Sequence, residues 1–213
     1  MSSDGPVTGV LLAAGAGRRA GGPKALRRDP DGRSWLGRTL QVLRDGGCDD
    51  IVVVLGAAAA QARELLAEEP AESLDAVTVI ENPSWLDGVA GSLRLGLATA
   101  AGGSASAALV HLVDLPDVGA AVLRRLLAEV APTSGALARA GYAGVPGHPV
   151  LIGRDHLPSV LDGLAGDRGA QVYLDAAGAV LVECGDLATG ADADGPAPAA
   201  VTAPPSVADP ERS

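Results

Sequence analysis

The chain contains no phenylalanine, a single methionine, two tryptophans and two tyrosines. Without that aromatic bulk, a core has to be built from Leu, Val, Ile and Ala. Cysteine is almost as scarce. Cys48 and Cys184 are too few and too far apart for a disulfide framework or a structural zinc site. They fit a reducing compartment, so a cytoplasmic location is expected. Positive charge is also short: 16 Lys and Arg stand against 26 Asp and Glu, a net charge of −10. General nucleic-acid or anionic-membrane surfaces need a basic face, so neither partner is expected. Every apolar run is broken by Gly, Asp or Arg before it reaches the roughly 18 residues of a membrane span. The start, Met1-Ser-Ser-Asp-Gly-Pro6, lacks the basic residues and apolar stretch of a secretory signal.

What remains is a globular composition, 47% hydrophobic and 20% charged over 213 residues, enough for one domain with a full core. Short apolar runs alternate with segments of helical periodicity. Strands are predicted at Val7–Ala14, Ile51–Leu55, Ala76–Ile80, Ala107–Val113, Ala136–Ala140, Pro149–Ile152 and Val180–Glu183. Helices are predicted at Ser34–Asp45, Ala58–Glu68, Gly91–Ala101, Ala120–Val130, Leu157–Leu164 and Gln171–Ala176. This rhythm predicts a single-domain, Rossmann-like three-layer α/β/α sandwich with a mostly parallel sheet, spanning residues 1–194. Residues 195–213, rich in Pro and Ala, read as a disordered tail. No internal repeat is present, and no unexplained apolar stripe asks for a partner copy, so a monomer is expected.

The stretch after the first strand, Gly15-Ala-Gly-Arg-Arg-Ala-Gly-Gly-Pro-Lys24, concentrates glycine and positive charge in an acidic chain. Gly15, Gly17, Gly21 and Gly22 allow backbone amides to approach an anion, and Arg18, Arg19 and Lys24 add charge where phosphates would lie. It is not a Walker loop, because no Gly-Lys-Ser/Thr follows. As a dinucleotide fingerprint it is poor. Arg18 and Arg19 crowd the pyrophosphate position, and Leu55-Gly56 supplies no acidic residue for a ribose. On spacing alone, a tight turn carrying surface arginines remains open. Farther on, Asp114-Leu-Pro-Asp117 follows an apolar strand. A carboxylate at the C-terminal end of a parallel strand lies where such sheets bind ligands, and Asp114 suits Mg²⁺. Capping the turn at Pro116 is the alternative. His111, inside that strand, reads as a packed residue.

Leu12-Ala-Ala-Gly-Ala-Gly-Arg-Arg-Ala-Gly-Gly-Pro-Lys24 resembles the signature loop of nucleotidyltransferases that act on molybdopterin, sugar phosphates and similar acceptors. Ala20 stands where that family usually has Met, a packing position. Asp114-Leu-Pro116 is similar to the family's metal-binding Asp-x-Pro. Asn82-Pro-Ser-Trp-Leu-Asp-Gly88 with Gly91-Ser-Leu93, Gly147-His-Pro-Val-Leu151 and Gly166-Asp-Arg-Gly-Ala170 resemble the molybdenum cofactor cytidylyltransferase (MobA-like) branch. Asp192-Ala-Asp194-Gly-Pro196 looks like its Asp-Ile-Asp-Thr-Pro, with Gly195 replacing Thr and no acidic residue after Pro196.

The resemblance implies an Mg²⁺-dependent transfer of a nucleoside monophosphate from an NTP, CTP by preference, to a phosphorylated acceptor such as molybdopterin. It implies nucleotide contacts at Leu12, Ala13, Ala14, Gly15, Ala16, Gly17, Arg18, Lys24, Asn82 and Ser92. Lys24, Arg18 and Asp114 would be catalytic, Asp114 and Asp194 metal ligands, and His148 and Arg168 acceptor contacts. A molybdoenzyme or its chaperone is the protein partner it suggests. Alternatives are GTP or another NTP with a sugar phosphate or phospholactate, or a non-catalytic nucleotide-binding regulator, which the altered final motif would suit.

Overall fold

The computed structural model describes residues 5–18 and 21–193. Its centre is β1 (Val7–Ala13), in which all seven residues are buried. β2 (Asp50–Leu55) and β4 (Ala107–Leu112) flank it in parallel, and β3 (Val77–Glu81) adds to β2. Beyond β4 come β6 (Val145–Gly153), β5 (Leu137–Tyr142) and β7 (Val180–Glu183), giving the order β3-β2-β1-β4-β6-β5-β7. Among the described strands, β6 alone runs antiparallel to both of its neighbours. Such near-continuous Val, Leu and Ile runs are what a sheet covered on both faces requires.

One face is covered by α1 (Trp35–Asp45), α2 (Ala59–Ala67) and α4 (Ala120–Glu129). Leu36, Leu40, Leu43, Leu123 and Leu126 pack there on Leu11, Val53 and Leu109. The other face carries α3 (Val89–Ala101), α5 (Leu157–Gly163) and α6 (Gln171–Ala176), with Leu93, Leu97 and Val160 against Val10, Val54 and Val110. Ser34 starts α1 as its N-cap, its hydroxyl accepting from the Gly37 amide at 2.9 Å. No helix among the described residues is long and apolar enough to cross a membrane.

The strands β5 and β6 are longer than the apolar runs suggest. They form a hairpin closed by Ala143-Gly144, both at positive φ, the backbone of a two-residue primed turn. The Glu183 carboxylate accepts from both turn amides at 2.9 Å. Gly141, Pro146, Gly147 and Pro149 interrupt the apolar pattern, which is why the pairing was not legible there.

α3 lies close on the sheet because it carries Gly96. A Cβ at that position would sit 2.6 Å from Val10 Cγ1 and 2.9 Å from Val54 Cγ2. Gly96→Ala is therefore expected to lower stability in urea unfolding. Alanine's helical preference is worth about 1 kcal/mol, but overpacking against two stiff β-branched side chains costs about 1–3 kcal/mol. A more stable variant would show that α3 can lift off the sheet without loss.

Candidate functional site

The register places the site. Leu12 pairs with Leu112 and Ala13 with Leu55, so β1, β2 and β4 end level with one another. The segment Ala14–Arg18 and the Asp114 turn therefore emerge side by side at the C-terminal edge of the sheet, where parallel α/β folds bind ligands. The chain turns back at Gly17, which has φ +57, and its carbonyl accepts from the Gly22 amide at 3.1 Å. A Cβ on Gly17 would lie 1.9 Å from Gly22 O, so no other residue fits this turn. A single 3-10 turn, Lys24–Leu26, then delivers Lys24 to the cleft.

Lys24 Nζ donates to Asp114 Oδ2 at 2.7 Å across 90 residues of sequence, with the two side chains 14% and 19% exposed. They stand together in a cleft of about 590 Å³. Leu12, Ala13, Ala14, Gly15, Ala16, Gly17 and Arg18 form one wall; Trp85, Leu86, Gly88, Val89, Ser92 and Asp167 line it as well. Positive and negative groups thus meet in one concave site, which suits a ligand carrying both phosphates and a cation.

Other residues singled out in the sequence are placed as follows. Ser92 lines the cleft, and its buried hydroxyl accepts from Asn82 Nδ2 at 3.0 Å. Asn82 is buried and not among the cleft-lining residues; its Oδ1 accepts from the Ser84 amide at 3.0 Å. It shapes the Asn-Pro turn and fixes Ser92. His148 is half-buried on β6, also off the cleft wall, and close enough to feel the Asp114 charge. Arg168 is exposed, on the turn whose Asp167 reaches the cleft. Arg19 and Asp194 lie outside the described residues. The chain leading to Asp194 is anchored, however, by the Ala193 amide donating to Asp114 O at 3.0 Å. Trp85, Leu86, Gly88, Val89 and Asp167 were not predicted as site residues. The Asn-Pro-Ser-Trp and Gly-Asp-Arg-Gly stretches held the signal.

Asp114 fits a divalent cation as one hard, acceptor-only ligand at the strand end. Among the described residues no three His, Cys, Asp or Glu side chains gather around a point. An all-protein cage is thus not what they offer; a cation here would share its coordination with ligand phosphates and water, the usual arrangement for Mg²⁺.

Two histidines beside the site are held neutral. His111, fully buried on β4, is pushed down to about 3 by desolvation and by nearby His148 and Arg38. His148 is pulled down to about 4 by desolvation, which the Asp114 charge opposes. Neither ring nitrogen of His111 has a hydrogen-bond partner among the described residues. Because its folded pKa lies below the unfolded value of 6.5, the unfolded chain binds the extra proton. Stability therefore falls as pH drops from 6.5 toward 3, by about 1.4 kcal/mol per pH unit for this group. His111→Leu is expected to match or exceed the native stability near pH 7, since it removes two unpaired buried nitrogens, and to flatten that acid slope. Urea midpoints measured from neutral to mildly acidic pH check both. An unchanged slope would mean that His111 does not titrate on unfolding.

The MobA-like NTP transferase domain matches residues 9–180. The chain belongs to the MobA-like NTP transferase family. Nucleotidyltransferase activity is what family membership supports. Over 198 residues this family member is 35% identical to the nicotine blue oxidoreductase of Paenarthrobacter nicotinovorans, covering 88% of this chain and 92% of that protein. It is 32% identical to Rv0371c from Mycobacterium tuberculosis H37Rv, with a TM-score of 0.68 over 85% of this chain and 88% of that one. A further structure of Rv0371c, at TM-score 0.63, is a complex with manganese. A nucleotidyl transferase from Methanothermobacter thermautotroptrophicus, 22% identical, shares the fold at TM-score 0.68 over 84% of this chain and 87% of that one.

Proposed function

We propose that this protein transfers a nucleoside monophosphate from an NTP, CTP by preference, to a phosphorylated small molecule of the molybdopterin type, releasing pyrophosphate. The observation that carries this reading is the Lys24–Asp114 pair, 2.7 Å apart on a cleft walled by the glycine-rich segment. The triphosphate lies along Gly15–Arg18. Lys24 leaves Asp114 for the β- and γ-phosphates, and Arg18 covers the outer oxygens. Asp114, with Asp194 as second carboxylate, would hold a divalent cation, Mg²⁺ or Mn²⁺, which would supply charge neutralisation for the phosphates. The apolar lip of Trp85, Leu86 and Val89, with Leu86 64% exposed, takes the flat face of the base beside Ser92. The acceptor approaches from the His148 and Arg168 side. Its phosphate oxygen attacks the α-phosphorus in line and the bond to pyrophosphate breaks. A phosphate monoester is already a nucleophile near neutral pH, so the chemistry asks for positioning and charge neutralisation, not for an activated Ser or Cys. Both cysteines are buried, and desolvation pushes Cys48 up to about 12.

A second reading rests on the 35%-identical relative, whose name is that of an oxidoreductase. A redox dinucleotide presents a diphosphate to the same loop. The missing acidic residue at Leu55-Gly56 weighs against its ribose.

One panel separates the two. CTP, GTP, ATP, UTP and reduced nicotinamide dinucleotides are compared by thermal shift with Mg²⁺ or Mn²⁺, followed by pyrophosphate release with phosphorylated acceptors. Selective stabilisation by CTP with metal, by about 3 kcal/mol at 100 times Kd, is expected. Stabilisation by the dinucleotide alone would replace the proposed function with the redox one, and nucleotide binding without release under any combination would favour a regulator.

A further inference from the structure

Trp35 is 5% exposed, and its indole Nε1 has no hydrogen-bond partner among the described residues. A buried unpaired N–H is a penalty that a Leu of similar reach would avoid, and Leu supplies most of the largest fully buried side chains of this core. What Trp35 offers in return is its ring face. The Arg27 guanidinium lies over that ring at 5.2 Å from the centroid, and the Arg38 guanidinium at 5.5 Å. Both distances are within reach of cation–π attraction, strengthened by desolvation.

The two arginines do not end at the ring. Arg38 Nη1 donates to Pro116 O at 3.3 Å, two residues from Asp114, and also faces the Asp29 carboxylate at 3.3 Å. Arg27 Nη1 donates to Ala193 O at 3.3 Å, and the Ala193 amide donates to Asp114 O at 3.0 Å. The Trp35 amide in turn donates to Arg27 O at 2.9 Å. A closed circuit results: Asp114, Ala193, Arg27, Trp35, Arg38, Pro116 and back to Asp114. It joins the turn after Lys24, the start of α1, the Asp114 turn and the segment that leads into Asp194. A second tie, the Thr189 amide donating to Asp117 Oδ2 at 2.6 Å, holds that last segment along the same turn.

We propose that Trp35 is a positioning residue for the Asp114 carboxylate, its ring bracing the Arg27 and Arg38 guanidiniums so that the Asp114 turn and the segment ending at Ala193 keep their alignment. This rests on the proposed function in taking Asp114 as the group that meets the metal–nucleotide complex. Trp35 touches no ligand itself and acts through the two arginines. The face of the ring is the working part, so a phenylalanine serves and a leucine does not.

The test uses the full chain, Mn²⁺ with CTP as the probe, and the variants Trp35→Phe, Trp35→Leu and Arg27→Lys. Mn²⁺ binding is followed by electron paramagnetic resonance, and the Ala193 amide by hydrogen exchange. Trp35→Leu is expected to weaken Mn²⁺ binding about tenfold or more, as loss of outer support for a ligand does, and to speed exchange at Ala193 while β2 and α4 amides stay protected. Trp35→Phe should restore both, which a simple need for an N–H would not allow. Arg27→Lys keeps the charge and loses the planar stack; it should move the same two readouts, and it carries the test if Trp35→Leu does not fold. Wild-type behaviour of both readouts in a folded Trp35→Leu, or in Arg27→Lys, overturns the brace, as does a uniform loss of protection across the sheet in Arg27→Lys. If wild-type Mn²⁺ binding proves indifferent to Asp114→Asn, the proposed function fails instead, and the Ala193 exchange still decides whether the brace exists.

Discussion

Asp114→Asn is expected to abolish metal-dependent pyrophosphate release, a loss of about 10³-fold or more, while leaving the protein folded. The side chain keeps its size and loses its charge, so the cleft keeps its shape and loses the Asp114 carboxylate's attraction for a divalent cation. The stability cost is set by the broken ion pair with Lys24, whose side chains are 14% and 19% exposed. That is partial burial, and a cost of about 1–2 kcal/mol lies between the exposed and fully buried cases. A distinctive second effect follows from the 2.7 Å contact. Under the proposed function, Lys24 in the native chain is shared between Asp114 and an incoming phosphate. With Asn at position 114 the ammonium loses the Asp114 carboxylate as a competitor, so CTP without metal is expected to bind as tightly as to the native protein, or more tightly. Isothermal titration with and without Mg²⁺, beside circular dichroism of the variant, reads both effects. Full turnover in a folded Asp114→Asn protein would remove Asp114 from the mechanism.

Lys24→Ala should lower turnover by about 10²–10³-fold, the range seen when one preorganised charge stabiliser is removed. Most of the loss is expected in kcat, because negative charge on the leaving pyrophosphate grows toward the transition state. The mirror of the previous effect is also expected. Asp114 loses its ammonium partner, so Mn²⁺ alone should bind Lys24→Ala more tightly than the native chain. Steady-state kinetics and a Mn²⁺ titration check the pair of outcomes. A variant whose only change is a higher KM would mean that Lys24 binds the ground state and the transition state equally.

Much of the fold was legible because each element carries its own period. The predicted strands Val180–Glu183 and Ile51–Leu55 correspond to β7 (Val180–Glu183) and β2 (Asp50–Leu55), and the predicted helix Gln171–Ala176 has the bounds of α6. Trp35, Leu36, Leu40 and Leu43 bury the face of α1 that their spacing marks. The hairpin between β5 and β6 was not legible, since its pairing depends on a primed turn and on Glu183 from a distant strand rather than on apolar alternation. The glycine-rich stretch and Asp114 were found as two separate clusters, and the loop's need for glycine at position 17 was visible only as composition. Asn82 shows the limit from the other side: its motif was conspicuous, yet its side chain stands behind Ser92 and off the cleft wall.

The amino-acid sequence by itself determined which segments are strands and helices, which faces are apolar, and that a glycine- and cation-rich stretch follows one strand and a carboxylate another. Those properties are written in neighbouring residues, three or four apart on a helix and two apart on a strand. Only the tertiary structure decided that Lys24 and Asp114 touch, that β4 lies between β1 and an antiparallel β6, and that Trp35 gathers two arginines beside the Asp114 turn. Contacts across 90 residues are set by strand order and by helices packing over the sheet, and no local period records them.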